Sequence, residues 1–164
     1  MARVYLSLGS NIHRERNIRG AIDALREHYG ELLISRVFES ASVGFEGEDF
    51  FNLAVGLDTD EDVHTVVQVM HQIEDQYDRV RNGPRFSSRT LDIDLLLYDD
   101  LVIHEGKLQL PRDEISKNAF VLWPLAEIAA ETIHPTLHKT MAQLWAEYDQ
   151  SKQSLSPVAF DFSG

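Results

Sequence analysis

The 164-residue sequence contains no cysteine, which excludes disulfides and thiolate metal sites. It also lacks long apolar runs: none approaches the roughly 20 residues that a membrane-spanning helix needs. The N-terminal residues have neither the basic start nor the extended apolar core of a secretory signal, so a cytoplasmic location is the expectation. Positive charge is scarce, with 15 Lys and Arg against 27 Asp and Glu and a net charge of −12. Non-specific nucleic-acid binding needs a basic face to neutralise phosphates, so neither nucleic acid nor a membrane is an expected partner. No Gly-x-x-x-x-Gly-Lys-Ser/Thr segment occurs, which removes the P-loop class of nucleotide site. Internal repeats and low-complexity stretches are absent too. What is present, 43% hydrophobic and 26% charged residues, is an ordinary globular composition, long enough for one substantial core.

Val4, Leu6 and Leu8 alternate into a first strand that stops at Gly9, Ser10 and Asn11, a turn-forming cluster. A helix is expected from Arg14 to Tyr29, with Ile18, Ala21, Ile22 and Leu25 as its buried stripe and Gly30 at its C-terminus. Leu32 to Phe38 reads as a second strand and Glu39 to Asp49 as a long loop. Phe50 to Leu57 is a third strand, with Phe51, Leu53, Val55 and Leu57 on a core face and Phe50, Asn52, Ala54 and Gly56 on the other. A second helix is expected from Asp60 to Val80, started by a capping box of Thr59 with Asp62 and carrying His71, Glu74 and Asp78 away from its apolar stripe. After the loop Asn82 to Ser88, Arg89 to Tyr98 forms a fourth strand. Short extended pieces follow around Val102 and Leu108, and Pro124 is expected to limit any helix across it, with short helices at Leu125 to Glu131 and Thr140 to Tyr148. The fold class is therefore α+β: a ferredoxin-like βαββαβ core, an antiparallel sheet with helices on one face, and an irregular helical C-terminal part. Residues 1–148 form one domain, and the polar tail 149–164 is expected to be poorly ordered.

The fourth strand carries the chemistry. Leu91, Ile93, Leu95 and Leu97 occupy one face, so Asp92 and Asp94 share the other, roughly 7 Å apart at two residue rises. Like charges on one strand face repel. Solvation on a wet sheet face would relieve them, and so would divalent cations, since Mg²⁺ prefers hard oxygen ligands. Just upstream, Arg79, Arg81, Arg85 and Arg89 crowd into an otherwise acidic chain. They suit a metal-bound polyphosphate, or a surface ion-pair network with Glu74 and Asp78. Phe50 and Asn52 offer a stacking plate and an amide to a flat heterocycle, or are simply a hydrophobe and a polar residue on a half-covered face.

Leu8-Gly9-Ser10-Asn11, Phe51-Asn52-Leu53-Ala54-Val55, Arg79-Val80-Arg81, Arg89-Thr90-Leu91-Asp92-Ile93-Asp94 and Phe120-Val121-Leu122-Trp123-Pro124-Leu125 occur in that order. Together they resemble the hydroxymethyl-dihydropterin pyrophosphokinase family of folate biosynthesis. The resemblance implies transfer of pyrophosphate from ATP, the co-substrate, to 6-hydroxymethyl-7,8-dihydropterin, with release of AMP. It assigns Asp92 and Asp94 to two Mg²⁺ ions, with Arg79 and Arg89 as catalytic partners. It assigns Ser40, Ser42, Val43, Phe50, Asn52 and Phe120 to the pterin, and His71, Glu74, Arg79, Arg81, Arg89, Ile93 and Arg112 to ATP. Arg112 and Asn118 stand where the family has His and Arg, and the family's Trp-Gly-Pro-Arg run is Phe86-Ser87-Ser88-Arg89 here. Two alternatives stay open at this level: a pterin-binding paralogue with weak or lost transfer, and a non-catalytic ferredoxin-like regulatory domain.

Overall fold

The computed structural model describes residues 1–40, 49–77 and 91–162. Strand β1 (Ala2–Ser10) lies between β4 (Phe50–Thr59) and β5 (Asp92–Tyr98), antiparallel to both. The sheet continues from β4 to β3 (Val37–Ser40) and β8 (Leu155–Val158), with β2 (Leu33–Ile34) also on β4. A separate hairpin joins β6 (Ile103–Glu105) to β7 (Leu108–Leu110). Val4, Leu6 and Leu8 are fully buried under helices α1 (Arg14–Tyr29) and α2 (Val63–Gln76), together with Leu53, Val55, Ile93 and Leu95. The opposite side of the same strands presents Tyr5, Ala54 and Leu97 to α3 (Ala119–Ile128) and α4 (Met141–Glu147); Leu97, expected on the face of Leu91, Ile93 and Leu95, is turned there by a register shift between Tyr5 and Leu6. Two helices thus cover one face, and the C-terminal helices cover part of the other.

Helix α1 has the expected bounds, and Gly30 ends it with φ 83°, donating its N–H to the Arg26 carbonyl. A left-handed residue at this place is where glycine avoids the Cβ clash. Helix α2 is shorter than expected and is capped differently. The Asp62 carboxylate accepts the Thr65 N–H at 2.8 Å, while the Thr59 hydroxyl accepts from Glu61 instead. The acidic residues therefore precede the helix rather than fill its first turn.

Two further expectations change. The single strand expected from Leu32 to Phe38 is broken between β2 and β3, because the Ser35 hydroxyl takes the Ala54 N–H at 2.9 Å where a ladder carbonyl would be. Pro124 does not limit the helix: α3 runs across it. Proline there removes one helical hydrogen bond, a cost of about 3 kcal/mol, and burial of Val121, Leu122 and Leu125 against the sheet offsets it. The tail contributes to the sheet. Leu155 to Val158 add an edge strand to β3, and the Phe160 ring meets Phe51 edge-on at 5.9 Å. Among the described residues no helix is long and apolar enough to cross a membrane.

His134 lies buried in the loop before α4. Its ring is 5% exposed and Nδ1 accepts the N–H groups of Leu137 and Thr136. Burial, then the neighbouring His138, hold its pKa below the ordinary 6.5. The unfolded chain takes up this proton before the folded one does, so the contribution of His134 to stability falls as pH drops below about 6.5. We expect the urea midpoint to fall less between about pH 7.5 and about pH 5.5 in His134→Asn than in the unaltered chain. Equal falls would remove His134 as the cause.

Candidate active site

The strand face turned away from α1 and α2 is set by register. Phe38 pairs with Asn52, Asn52 with Gly9, and Gly9 with Asp92, so one row crosses four strands. The next row places Ala54 beside Ser7 and Ser7 beside Asp94. Ser40 and Phe50 pair on the other side of the first row. Trp123 of α3 closes one end by packing on the buried Phe38 ring, with centroids 4.7 Å apart. Asp92 and Asp94 are half-buried on the part of the face that α3 leaves uncovered.

Asn52 is only 5% exposed, and its Nδ2 donates to the Ser40 hydroxyl at 3.0 Å. The amide is therefore oriented before any ligand arrives. Its other atom, Oδ1, lies across Gly9: a Cβ built there would approach it to 2.9 Å. Gly9 is thus the floor of the row between the amide and the first aspartate. Spacing in the sequence did not reveal this role, because it depends on which residue β4 sets opposite.

Glu74 is not on an exposed helix face. It is 2% exposed, and its Oε2 accepts the backbone N–H of Ile93 at 2.9 Å. Helix α2 thereby holds the outer edge of β5 at the residue between the two aspartates. The Ile93 side chain points into the core, so a ligand could meet only its backbone. His71 is exposed on α2. Arg112 donates its backbone N–H to the Leu96 carbonyl, which brings its guanidinium to 3.5 Å from Asp94 Oδ1 and 2.9 Å from Glu114 Oε1. Phe120, the second residue of α3, is half-buried against the second core cluster, and Phe50 is half-buried on β4. Asn118 faces the tail: its Oδ1 accepts from Gln153 Nε2, whose Oε1 accepts the Ala119 N–H. The expected site residues Ser42, Val43, Arg79, Arg81 and Arg89 lie outside the described residues, as do most of the two loops that contain them.

The arrangement joins an oriented amide, a bare floor and two carboxylates along one open sheet face. Such a face belongs to a small α+β domain and offers an amide for a flat polar ligand beside carboxylates for a charged one. A sequence profile described as 7,8-dihydro-6-hydroxymethylpterin-pyrophosphokinase (HPPK) matches residues 5–130, and the chain belongs to this family. A 2-amino-4-hydroxy-6-hydroxymethyldihydropteridine pyrophosphokinase of Methylorubrum extorquens is 35% identical over 150 residues, covering 88% of this chain and 94% of that protein. The protein of the same name from Aquifex aeolicus is 34% identical, covering 90% of this chain and 92% of its own length. The folic acid synthesis protein of Dictyostelium discoideum is 36% identical over 142 residues, but the match spans only 21% of that longer protein. Among solved structures, wild-type Plasmodium falciparum HPPK-DHPS with SDX-DHP superposes with a TM-score of 0.70 at 16% identity, over 93% of this chain and 45% of that one. At that identity the likeness speaks for the fold alone.

Removing the Glu74 carboxylate should loosen β5. In Glu74→Ala the buried Ile93 N–H loses its acceptor, at a cost of about 1–3 kcal/mol, whereas Glu74→Gln keeps an acceptor and should lose less. Urea denaturation of both variants checks this; equal losses would mean that the hydrogen bond to β5 does not matter.

Proposed function

We propose that this chain transfers the pyrophosphate group of ATP to the hydroxymethyl group of 6-hydroxymethyl-7,8-dihydropterin, releasing AMP, in the cytoplasm. The observation that carries the reading is the row Asn52, Gly9, Asp92. It sets a fixed amide roughly 10 Å from the first carboxylate, at two strand spacings, room for a pterin to lie with its reactive arm toward the aspartates. Family membership and relatives named for this activity support it.

The pterin edge bonds to the Asn52 amide, whose orientation Ser40 holds, and the Phe50 and Phe120 rings are the plates above and below it. Ser42 and Val43 complete the pterin pocket. ATP takes the β5 side, near Arg112 and His71, with Arg79, Arg81 and Arg89 neutralising its phosphates. Glu74 acts on this side by fixing the β5 backbone. Asp92 and Asp94 fit Mg²⁺ as two hard oxygen donors on one strand face. A magnesium site of this kind takes its remaining ligands from phosphate and water. We place two ions there; when bound, they supply positive charge to the polyphosphate oxygens.

The substrate hydroxyl oxygen attacks the β-phosphorus, the bond from that phosphorus to the bridging oxygen of the AMP portion breaks, and the hydroxyl proton passes to solvent. The chain's contribution is alignment and electrostatics, which for phosphoryl groups supply most of the acceleration. Incubating the chain with ATP, Mg²⁺ and the pterin should produce AMP. Asp92→Asn and Asp94→Asn should each remove most of that production, with the far-UV circular dichroism unchanged. Near-normal AMP from either variant would contradict the metal assignment, and pterin binding without AMP from the unaltered chain would make it a binding protein.

Gly9→Ala should weaken the pterin site without touching the carboxylates. The new methyl group forces the Asn52 amide off Ser40, so pterin affinity measured by fluorescence should fall by about 1 kcal/mol, the worth of one hydrogen bond. Asn52→Ala should cost a similar amount, and the double variant little more, because both remove the same contact. Additive losses would show that Gly9 acts elsewhere.

A further inference from the structure

Arg14, the first residue of α1, reaches across the far side of the sheet to the end of the strand pair that carries the proposed pterin contacts. Its Nη1 lies 2.7 Å from Glu39 Oε2 on β3 and donates at 2.7 Å to the backbone carbonyl of Asp49, the residue before β4. Its guanidinium also stacks on the Phe51 ring, 3.9 Å from the centroid. Glu39 and Phe51 are paired across the two strands, between the Phe38–Asn52 and Ser40–Phe50 pairs. The arginine therefore grips the back of the two strands whose front bears Ser40, Phe50 and Asn52. The tail presses on the same place. Ser156 and Leu155 of β8 pair with Glu39 and Ser40, and Phe160 packs against Phe51. Arg19 of α1 holds this tail, its Nε donating to the Asp161 carbonyl at 2.6 Å.

We propose that Arg14 is a positioning residue for the pterin: it locks the β3–β4 end so that Asn52 and Phe50 keep the spacing the ring needs. It touches no substrate. Strand alternation sends Glu39 and Phe51 to one face and Ser40, Phe50 and Asn52 to the other, so its influence passes through the backbone. A guanidinium suits this place because one planar group can donate to a carboxylate and a carbonyl at its edge while stacking on a ring. Lysine has the charge without the plane. The inference rests on the proposed pterin reading of this face.

The test separates positioning from plain loss of stability. An unstable variant has fewer active molecules and loses kcat, but its KM values stay put. Arg14→Ala should raise KM for the pterin about tenfold while KM for ATP stays within about twofold, a difference of about 1.4 kcal/mol on one substrate only. Arg14→Lys should lie between the two, and Glu39→Gln, which keeps the arginine but removes its charged partner, should shift the pterin KM in the same direction. An unchanged pterin KM in Arg14→Ala, or equal rises for both substrates, would overturn the proposal. Pterin fluorescence titration without ATP decides the same question independently of turnover. If the unaltered chain made no AMP, the proposed transfer would fail, yet a tenfold weaker pterin affinity in Arg14→Ala would still uphold the positioning role and an unchanged affinity would overturn it. If the unaltered chain bound no pterin, both readings would fall.

Discussion

The site depends on strand alternation being in phase across β4, β1 and β5. Successive side chains leave a strand on opposite faces, so a one-residue slip of β5 against β1 would send the aspartates into the core and Ile93 to the surface, and a slip of β4 would do the same to Asn52 and Leu53. The core prevents that shift. Leu8 and Ile93 pair on the inner face, as do Leu8 and Leu53, and each is nearly or fully buried under α1 and α2. The same pairing leaves Asn52, Gly9 and Asp92 in line on the outer face. The polar row is thus kept in line by the apolar row behind it.

The outer face is then finished by elements that reach it from behind or from the edge. Glu74 passes from α2 to the free side of β5, where its carboxylate satisfies a backbone group that sits between two acidic residues. A buried carboxylate needs donors, and an edge strand has N–H groups to spare; each meets the other's need. Arg112 reaches Asp94 from the segment after β7, so the second aspartate already has a positive neighbour. Gln153 bridges Asn118 and the start of α3. The position where the family has an arginine is therefore turned toward the C-terminal segment, and Arg112 is a cation placed beside the carboxylates.

How much of this was legible in the sequence follows from the range of each interaction. Helix α1 could be bounded because its stripe and Gly30 are local signals, and the two faces of β4 could be separated because Phe51, Leu53, Val55 and Leu57 alternate with Phe50, Asn52 and Ala54. The pairing of Asp92 with Asp94 on one face needed only the strand period. What local pattern could not show was set by distant partners. Ser35 breaks a strand because Ala54 is opposite it, and α3 crosses Pro124 because the sheet buries its apolar side chains. The tail becomes β8 because β3 has an open edge. Glu74 gives no local sign of burial, because helical periodicity counts only apolar positions; the approach of β5 buries it. Arg14 carried no local signal of its role at all.

The central claim is that one sheet face, continuous from β4 to β5, holds both the pterin and the polyphosphate. A crystal structure of the chain with the pterin, Mg²⁺ and a non-hydrolysable ATP analogue tests it most directly. We expect the pterin edge on the Asn52 amide and the phosphates beside Asp92 and Asp94, on the face opposite α1 and α2. A pterin bound away from Asn52, or phosphates that leave both aspartates without metal, would contradict it.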